Sequence, residues 1–300
     1  MKLKFIFIIF LIGIIGLLSG CEPLTVLDPK GPQAKTISDV IMISIWTMLF
    51  VVVVVFVLLI VMLTKYRASK QSKDYDPPHI EGSKIVETIC VGIPILIVIF
   101  LSVVTVKSTY EVEAVPQGYE NQEPLVIYAA SSNWKWHFSY PEENIETVNY
   151  LFIPTNRPIQ FKIYAYGPMS SFWIPQLAGQ KYGMEAMVNT LNLVATYPGE
   201  FMGRNAMFTG EGFAKQTFNV NSLSQDEYET WVEEIKATAE PLTEEKFDEL
   251  LKPGHLGQLT FTGTHLGFSP PPTGHHGDNM SEEQSEEKME QMSPLPKTEQ

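Results

Sequence analysis

Residues 40–63 read VIMISIWTMLFVVVVVFVLLIVML, and residues 88–106 read TICVGIPILIVIFLSVVTV. Neither stretch holds a charged side chain. Each is long enough to cross a bilayer core of about 30 Å, which takes roughly 20 helical residues. In lipid every backbone N–H and C=O must find a partner inside the segment, so both stretches are predicted to be helices and not strands. Between them lie Lys65, Arg67, Lys70, Lys73 and Lys84. A short loop rich in Lys and Arg stays on the cytoplasmic side. The first helix therefore runs inward, the second runs outward, and everything after Lys107 is expected outside the cell.

An earlier apolar run has a different character. Lys2 and Lys4 precede an apolar stretch over 5–18, which Leu18-Ser19-Gly20-Cys21 closes. Basic start, short apolar middle and small-residue end describe a secretory signal peptide. Leu-Ser-Gly-Cys also resembles the bacterial lipobox, in which cleavage exposes the cysteine and acyl chains such as palmitate are attached to it; the competing reading is an uncleaved helix with an ordinary cysteine. Acylation at Cys21 would pin the new N-terminus to the outer leaflet, since each buried CH2 contributes about 0.8 kcal/mol.

Composition narrows the partners. The formal net charge is −13, and phosphate neutralisation needs a basic surface, which argues against a nucleic-acid partner. Cys21 and Cys90 are the two cysteines, which leaves the exported part without thiolates for disulfides or soft-metal ligands. It must be held by its core, for which about 110 residues suffice. From 124 to 220, β-prone runs alternate with Pro, Gly and Asn; strands are predicted over 125–129, 134–140, 147–153, 159–165, 187–195 and 215–220, as in an antiparallel sandwich or barrel. Ser224-Gln225-Asp226-Glu227 is a capping-box pattern, with Tyr228, Trp231, Val232 and Ile235 at helical spacing behind it. A second short helix is expected over 243–251. Beyond Phe268, Pro270-Pro271-Pro272, His275-His276 and the acids from Glu282 to Glu290 bury too little to order themselves. A histidine pair in such a segment is read as solvated linker and not as a metal site.

Two spanning helices followed by an exported sandwich resemble subunit II of the haem-copper oxidases. Val86-Glu87-Thr88-Ile89 with Pro94 is similar to the second-helix motif of that family. Asn133-Trp134-Lys135-Trp136 with Phe138 and Tyr140-Pro141 is similar to its aromatic strand. Ser171-Phe172-Trp173-Ile174-Pro175-Gln176-Leu177 and Pro198-Gly199-Glu200-Phe201-Met202-Gly203 resemble the two segments around its copper site. The resemblance implies a cupredoxin-like Greek-key sandwich. In the cytochrome c oxidase branch that sandwich holds two coppers on a histidine five residues before a proline and on Cys-x3-Cys-x3-His-x2-Met. Here those positions are Ser170, Asn205, Thr209, Phe213 and Gln216, and the acidic residue that lends a carbonyl between the cysteines is Met207. Thiolate and imidazole are gone, and the hard, neutral groups left are poor copper ligands. Gly203-Arg204-Asn205-Ala206-Met207-Phe208-Thr209-Gly210-Glu211-Gly212-Phe213 resembles the quinol oxidase branch, whose donor already dissolves in the bilayer and needs no exterior relay.

The resemblance implies a bacterial cell-membrane protein, multi-pass and lipid-anchored, with its large domain outside. It implies a place as subunit II of a proton-pumping quinol oxidase that reduces oxygen to water. Haem and copper would sit on subunit I and no metal on this chain. Partners would be subunit I, small membrane subunits, membrane quinol and lipid, but not cytochrome c. The alternative is a non-redox structural or receptor lipoprotein that reuses the scaffold. The expected division is a signal peptide at 1–20, a lipidated segment at 21–38, spanning helices at 39–63 and 85–106 around a cytoplasmic loop at 64–84, a cupredoxin-like domain at 107–222, a helical segment at 223–268 and a disordered acidic tail at 269–300. Trp134 and Trp136, read as sharing one strand face, are expected in core or subunit-interface packing. His137 is expected at a polar surface or interface. No catalytic residue is expected on the chain. Glu87 either complements its helix N-terminus or, as the resemblance implies, marks the mouth of a proton path into subunit I.

Overall fold

The computed structural model describes residues 24–67 and 82–275. The signal peptide, Cys21, Lys70, Lys73 and the acidic stretch from His276 onward lie outside the described residues. Helix α1 spans Pro32–Lys65 and α2 spans Lys84–Glu113. Gly31 and Pro32 start α1, because proline at the first helical position gives up only an N–H that has no helical partner. Both helices are longer than the apolar stretches within them. Their outer ends carry Lys35, Asp39, Lys107, Glu111 and Glu113, and reach a β domain. Lys30 N–H donates to the Gln176 carbonyl at 2.7 Å and Ala34 N–H to that of Leu177 at 3.2 Å. A Cβ on Gly31 would sit 2.4 Å from the Val194 carbonyl oxygen, so the chain approaches this closely only as glycine. From α2, the Glu113 carboxylate accepts from Lys181 Nζ at 2.5 Å.

Among the described residues thirteen strands build the domain: β1 Leu125–Ser132, β2 Lys135–Tyr140, β3 Ile145–Val148, β4 Tyr150–Pro154, β5 Ile159–Ala165, β6 Ser170–Trp173, β7 Lys181–Gly183, β8 Met187–Leu193, β9 Gly199–Asn205, β10 Thr217–Leu223, β11 Glu240–Pro241, β12 Leu259–Thr262 and β13 Gly274–His275. One sheet runs β11-β12-β3-β2-β1-β5-β8-β13 and the other β4-β10-β9-β6-β7. The β1–β5 and β4–β10 pairs are parallel, so the sandwich is mixed and not antiparallel throughout. Between the sheets Phe172 and Phe218 stack at 5.0 Å, and Trp136 meets both edge-on at 5.2 and 5.7 Å.

Four further expectations change. The run 147–153 is not one strand. Asn149 adopts φ +62°, and β3 and β4 on either side of it belong to different sheets. Its side chain holds the break, accepting from Trp136 N–H at 3.0 Å and donating to the Leu256 carbonyl at 2.9 Å. Trp134 is not in a strand beside Trp136: it has φ +65° in the hairpin joining Ser132 to Lys135. His137 is fully buried, not at a surface. The segment expected to be disordered from 269 is in part built into the fold, since Ser269 accepts at its carbonyl from Tyr166 OH at 2.7 Å and β13 pairs with β8.

The capping box at Ser224 and Glu227 starts α3, Gln225–Thr238, and Thr243 caps α4, Glu244–Leu251. Helix α3 closes one end of the core, with Trp231 against Tyr140 and Phe152. Helix α4 brings Phe247 and Leu250 onto Val148 and Phe261 in a second apolar cluster.

Candidate functional site

Strand β9 and the turn before β10 bring the positions that the resemblance aligns with copper ligands to one end of the sandwich. Asn205 ends β9 fully buried. Its Oδ1 accepts from the N–H groups of Ser171 at 2.8 Å and Met207 at 2.9 Å. Its Nδ2 donates to Gln216 Oε1 at 2.8 Å and Thr209 Oγ1 at 3.2 Å, and Thr209 Oγ1 donates in turn to Gln216 Oε1 at 3.0 Å. Three of the predicted positions thus close into a hydrogen-bonded triangle. Met207 joins through its backbone. Ser170 on the adjoining β6 bonds its hydroxyl to the Pro168 carbonyl at 3.2 Å. Phe213 turns aside onto Phe208, with ring centres 5.6 Å apart.

These residues do not fit a dicopper centre. Such a centre needs thiolates to bridge the metals and imidazole and thioether to complete them. Here the ligand atoms on offer belong to neutral amide and hydroxyl groups, and their oxygens already accept hydrogen bonds from backbone N–H groups or from one another. Among the described residues, no three His, Cys, Asp or Glu side chains gather as a metal would require. The arrangement ties β6, β9 and the turn before β10 together through the Asn205 side chain.

Trp134 covers this end. Its Nε1–H donates to the Thr209 carbonyl at 2.9 Å. Its ring lies on Gly210 and Gly212, and a Cβ on Gly212 would come within 2.2 Å of the indole. Trp136, by contrast, is a core residue with no exposed surface. Glu87 sits at the other end of α2, in its first turn, 26 residues before Glu113 and hence roughly 40 Å away along the axis.

Two buried polar groups escaped the sequence reading. Lys135 is 1% exposed. Its ammonium donates to the carbonyls of Lys252 at 2.6 Å, Asn133 at 3.1 Å and Gly254 at 3.1 Å, so it caps the C-terminal end of α4; burial lowers its affinity for the proton below the usual lysine range. Glu146 and His265 form a second group, both wholly buried, with Oε1 2.7 Å from Nδ1. Tyr164 OH meets His265 Nε2 at 2.5 Å, Ser139 OH donates to Glu146 Oε2, and the Phe247 ring stacks on the imidazole at 4.5 Å. Burial pushes the Tyr164 phenol well above its ordinary range. Glu146 and His265 stand 119 residues apart, and no local pattern joins them.

The family model for the transmembrane domain of cytochrome c oxidase subunit II matches residues 24–107, which include both helices. Quinol oxidase subunit 2 of Bacillus subtilis (strain 168) is 48% identical over 268 residues, 89% of this chain and 83% of that protein. Quinol oxidase subunit 2 of Bacillus cereus (strain ATCC 10987 / NRS 248) is 46% identical over 255 residues, 85% of this chain and 88% of that one. The chain belongs to the quinol oxidase subunit 2 family. As a member it is one subunit of an oxidoreductase complex and has other oxidase subunits for neighbours. That membership sets aside the non-redox lipoprotein reading. The periplasmic domain of cytochrome oxidase subunit II from Bradyrhizobium japonicum is 20% identical over 38% of this chain and 94% of that domain, with a TM-score of 0.37.

Proposed function

We propose that this chain is the copper-free subunit II of a proton-pumping quinol oxidase, in which the haem and copper that reduce oxygen lie on subunit I. The carrying observation is the Asn205–Thr209–Gln216 triangle: the end of the sandwich that would hold a relay is filled by two amides and a hydroxyl hydrogen-bonded to one another. Electrons from a quinol in the bilayer reach subunit I without passing through this domain. The chain supplies two helices that pack on subunit I and a sandwich that covers it from outside. Exposed apolar side chains line both helices; Leu96 is 67% and Val103 64% exposed in the single chain, surface that lipid or another helix must cover. Acylation at Cys21 holds the N-terminus in the outer leaflet, and Glu87 stands at a proton entrance on the cytoplasmic side.

The test is purification of the tagged chain with its partners in mild detergent, followed by visible spectroscopy, copper analysis of the separated chain and oxygen uptake. Haem absorbance, a chain without copper and turnover with quinol are expected. Stoichiometric copper on the separated chain, or turnover with reduced cytochrome c in place of quinol, overturns the reading.

A further inference from the structure

A hollow of about 300 Å³ opens beside the Trp134 hairpin, between α4 and the loop that leads to β12. Lys135, Lys246, Lys252 and His255 line it, over a floor that includes Leu250 and Leu256. Glu249 is its one carboxylate among the described residues and is already paired with Lys246 at 2.8 Å. Desolvation, then the charges of Lys215 and Lys135, hold the His255 imidazole below its usual range. The lining sets three lysines and a histidine against one carboxylate, in a chain of net charge −13.

The opposite charge lies further along the same chain. Between 278 and 290 stand Asp278, Glu282, Glu283, Glu286, Glu287 and Glu290, against Lys288 alone. Position matches charge. β13 pairs His275 with Val188 at the start of β8. From there the register leads across β5 and β1 to Lys135, which faces Ser132 at the start of β2. All of these positions lie at one end of the sheet. Four strand spacings of about 4.8 Å set His275 roughly 20 Å from Lys135. Glu282 is seven residues beyond His275, a reach of about 23 Å at about 3.3 Å per extended residue. The acidic cluster thus begins at the distance of the hollow.

We propose that this basic hollow receives the acidic stretch 282–290 of its own chain. A single exposed ion pair is weak. Several carboxylates on a short tether act together, because the tether holds them at an effective concentration in the millimolar range. Met289 offers an apolar side chain for the leucine floor. The docked stretch neutralises the lysines of the hollow.

Zero-length carbodiimide cross-linking of the full chain in mild detergent, read by peptide mass spectrometry, tests this. Isopeptide links from Glu282, Glu283, Glu286 or Glu287 to Lys246 or Lys252 are expected, with a yield that falls several-fold when salt shortens the Debye length from about 10 Å to about 3 Å. K246E with K252E should abolish the links. Adding E282K, E283K and E286K to that variant should restore links of reversed polarity. Tail carboxylates joined to lysines elsewhere on this chain, or to another subunit when the intact complex is treated, overturn the proposal. So does a yield indifferent to salt in the unmodified chain, a readout that does not depend on any variant folding.

Discussion

Asn205 Nδ2 meets Gln216 Oε1 at 2.8 Å, amide to amide, across the end of the sandwich where the family resemblance puts a metal relay. Asn205 fills every role its side chain offers: two backbone N–H groups donate to its oxygen, and its nitrogen serves two acceptors. The hydrogen bonds gathered on this one side chain have a measurable consequence.

Asn205→Ala should remove four hydrogen bonds and strand the Ser171 and Met207 amides in a buried place. Unsatisfied buried groups cost about 1–3 kcal/mol each, partly relieved by water, so a loss of about 2–4 kcal/mol is expected. Urea unfolding of the full chain, followed by tryptophan fluorescence, measures it. A midpoint unchanged from the parent would mean that the triangle holds nothing together.

Gly212→Ala should dislodge Trp134. The new methyl would lie 2.2 Å from Cδ2 of the indole, so the ring must move and release the Thr209 carbonyl. Overpacking of this kind costs about 1–3 kcal/mol, and the freed indole should emit further to the red. In a Trp134→Ala background the same change should be almost free. An equal penalty in both backgrounds would place the strain elsewhere.

The hairpin helices were legible because uncharged runs of that length have few other solutions, and α3 was legible because Ser224 and Glu227 form a local capping signal. Ser170, Asn205, Thr209, Phe213 and Gln216 were placed at the copper-ligand positions by the spacing of the family motif alone, and the structure brings Asn205, Thr209 and Gln216 together. Strand boundaries failed where one residue adopts a left-handed backbone. Asn149 splits a run that looks continuous, and Trp134 sits in a turn although its neighbours alternate like a strand. β6, β7 and β9 were missed as strands: β7 spans only three residues, and β6 finds its place by pairing Phe172 with Asn205, 33 residues on. Lys135 and His265 were unreadable for the same reason: a lysine whose acceptors include carbonyls 117 and 119 residues away looks like any surface lysine in one dimension.

Glu146 and His265 should show strong coupling. Removing one member of a buried pair leaves the other charge or dipole uncompensated, at about 3–5 kcal/mol, whereas an apolar pair of similar volume is often tolerated. Glu146→Leu and His265→Phe should each destabilise heavily, and the double variant should lose far less than their sum. Because His265 leads into the segment that ends in β13, either single change should also speed proteolysis after Leu251. Additive losses in the cycle would sink the coupling.

Glu87→Gln separates two roles. A helix N-terminus favours an anion by about 0.3–1 kcal/mol, so loss of charge alone should barely alter assembly. If the carboxyl also passes protons inward, quinol-driven oxygen uptake should slow while the haem content of the purified complex stays constant. An unchanged turnover rate would remove the proton role and leave only the helix terminus.

His137 predicts how stability responds to acid. It is fully buried, with Ser132 Oγ at 2.7 Å from Nε2 and the Phe247 ring at 5.4 Å. Burial, followed by the charges of His265 and Lys135, holds its imidazole well below the ordinary histidine range. In the unfolded chain the same group titrates near about 6.5. Above that pH both states are neutral and His137 has no effect on the pH slope. Below it the unfolded chain takes up a proton that the fold refuses, so stability falls as the pH drops, by up to about 1.4 kcal/mol per unit until the native group titrates. Urea midpoints compared at about pH 7.5 and about pH 5 should therefore drop more for the parent than for His137→Gln, which has nothing to protonate. Identical drops in the two proteins would show that His137 is not the group that acid attacks.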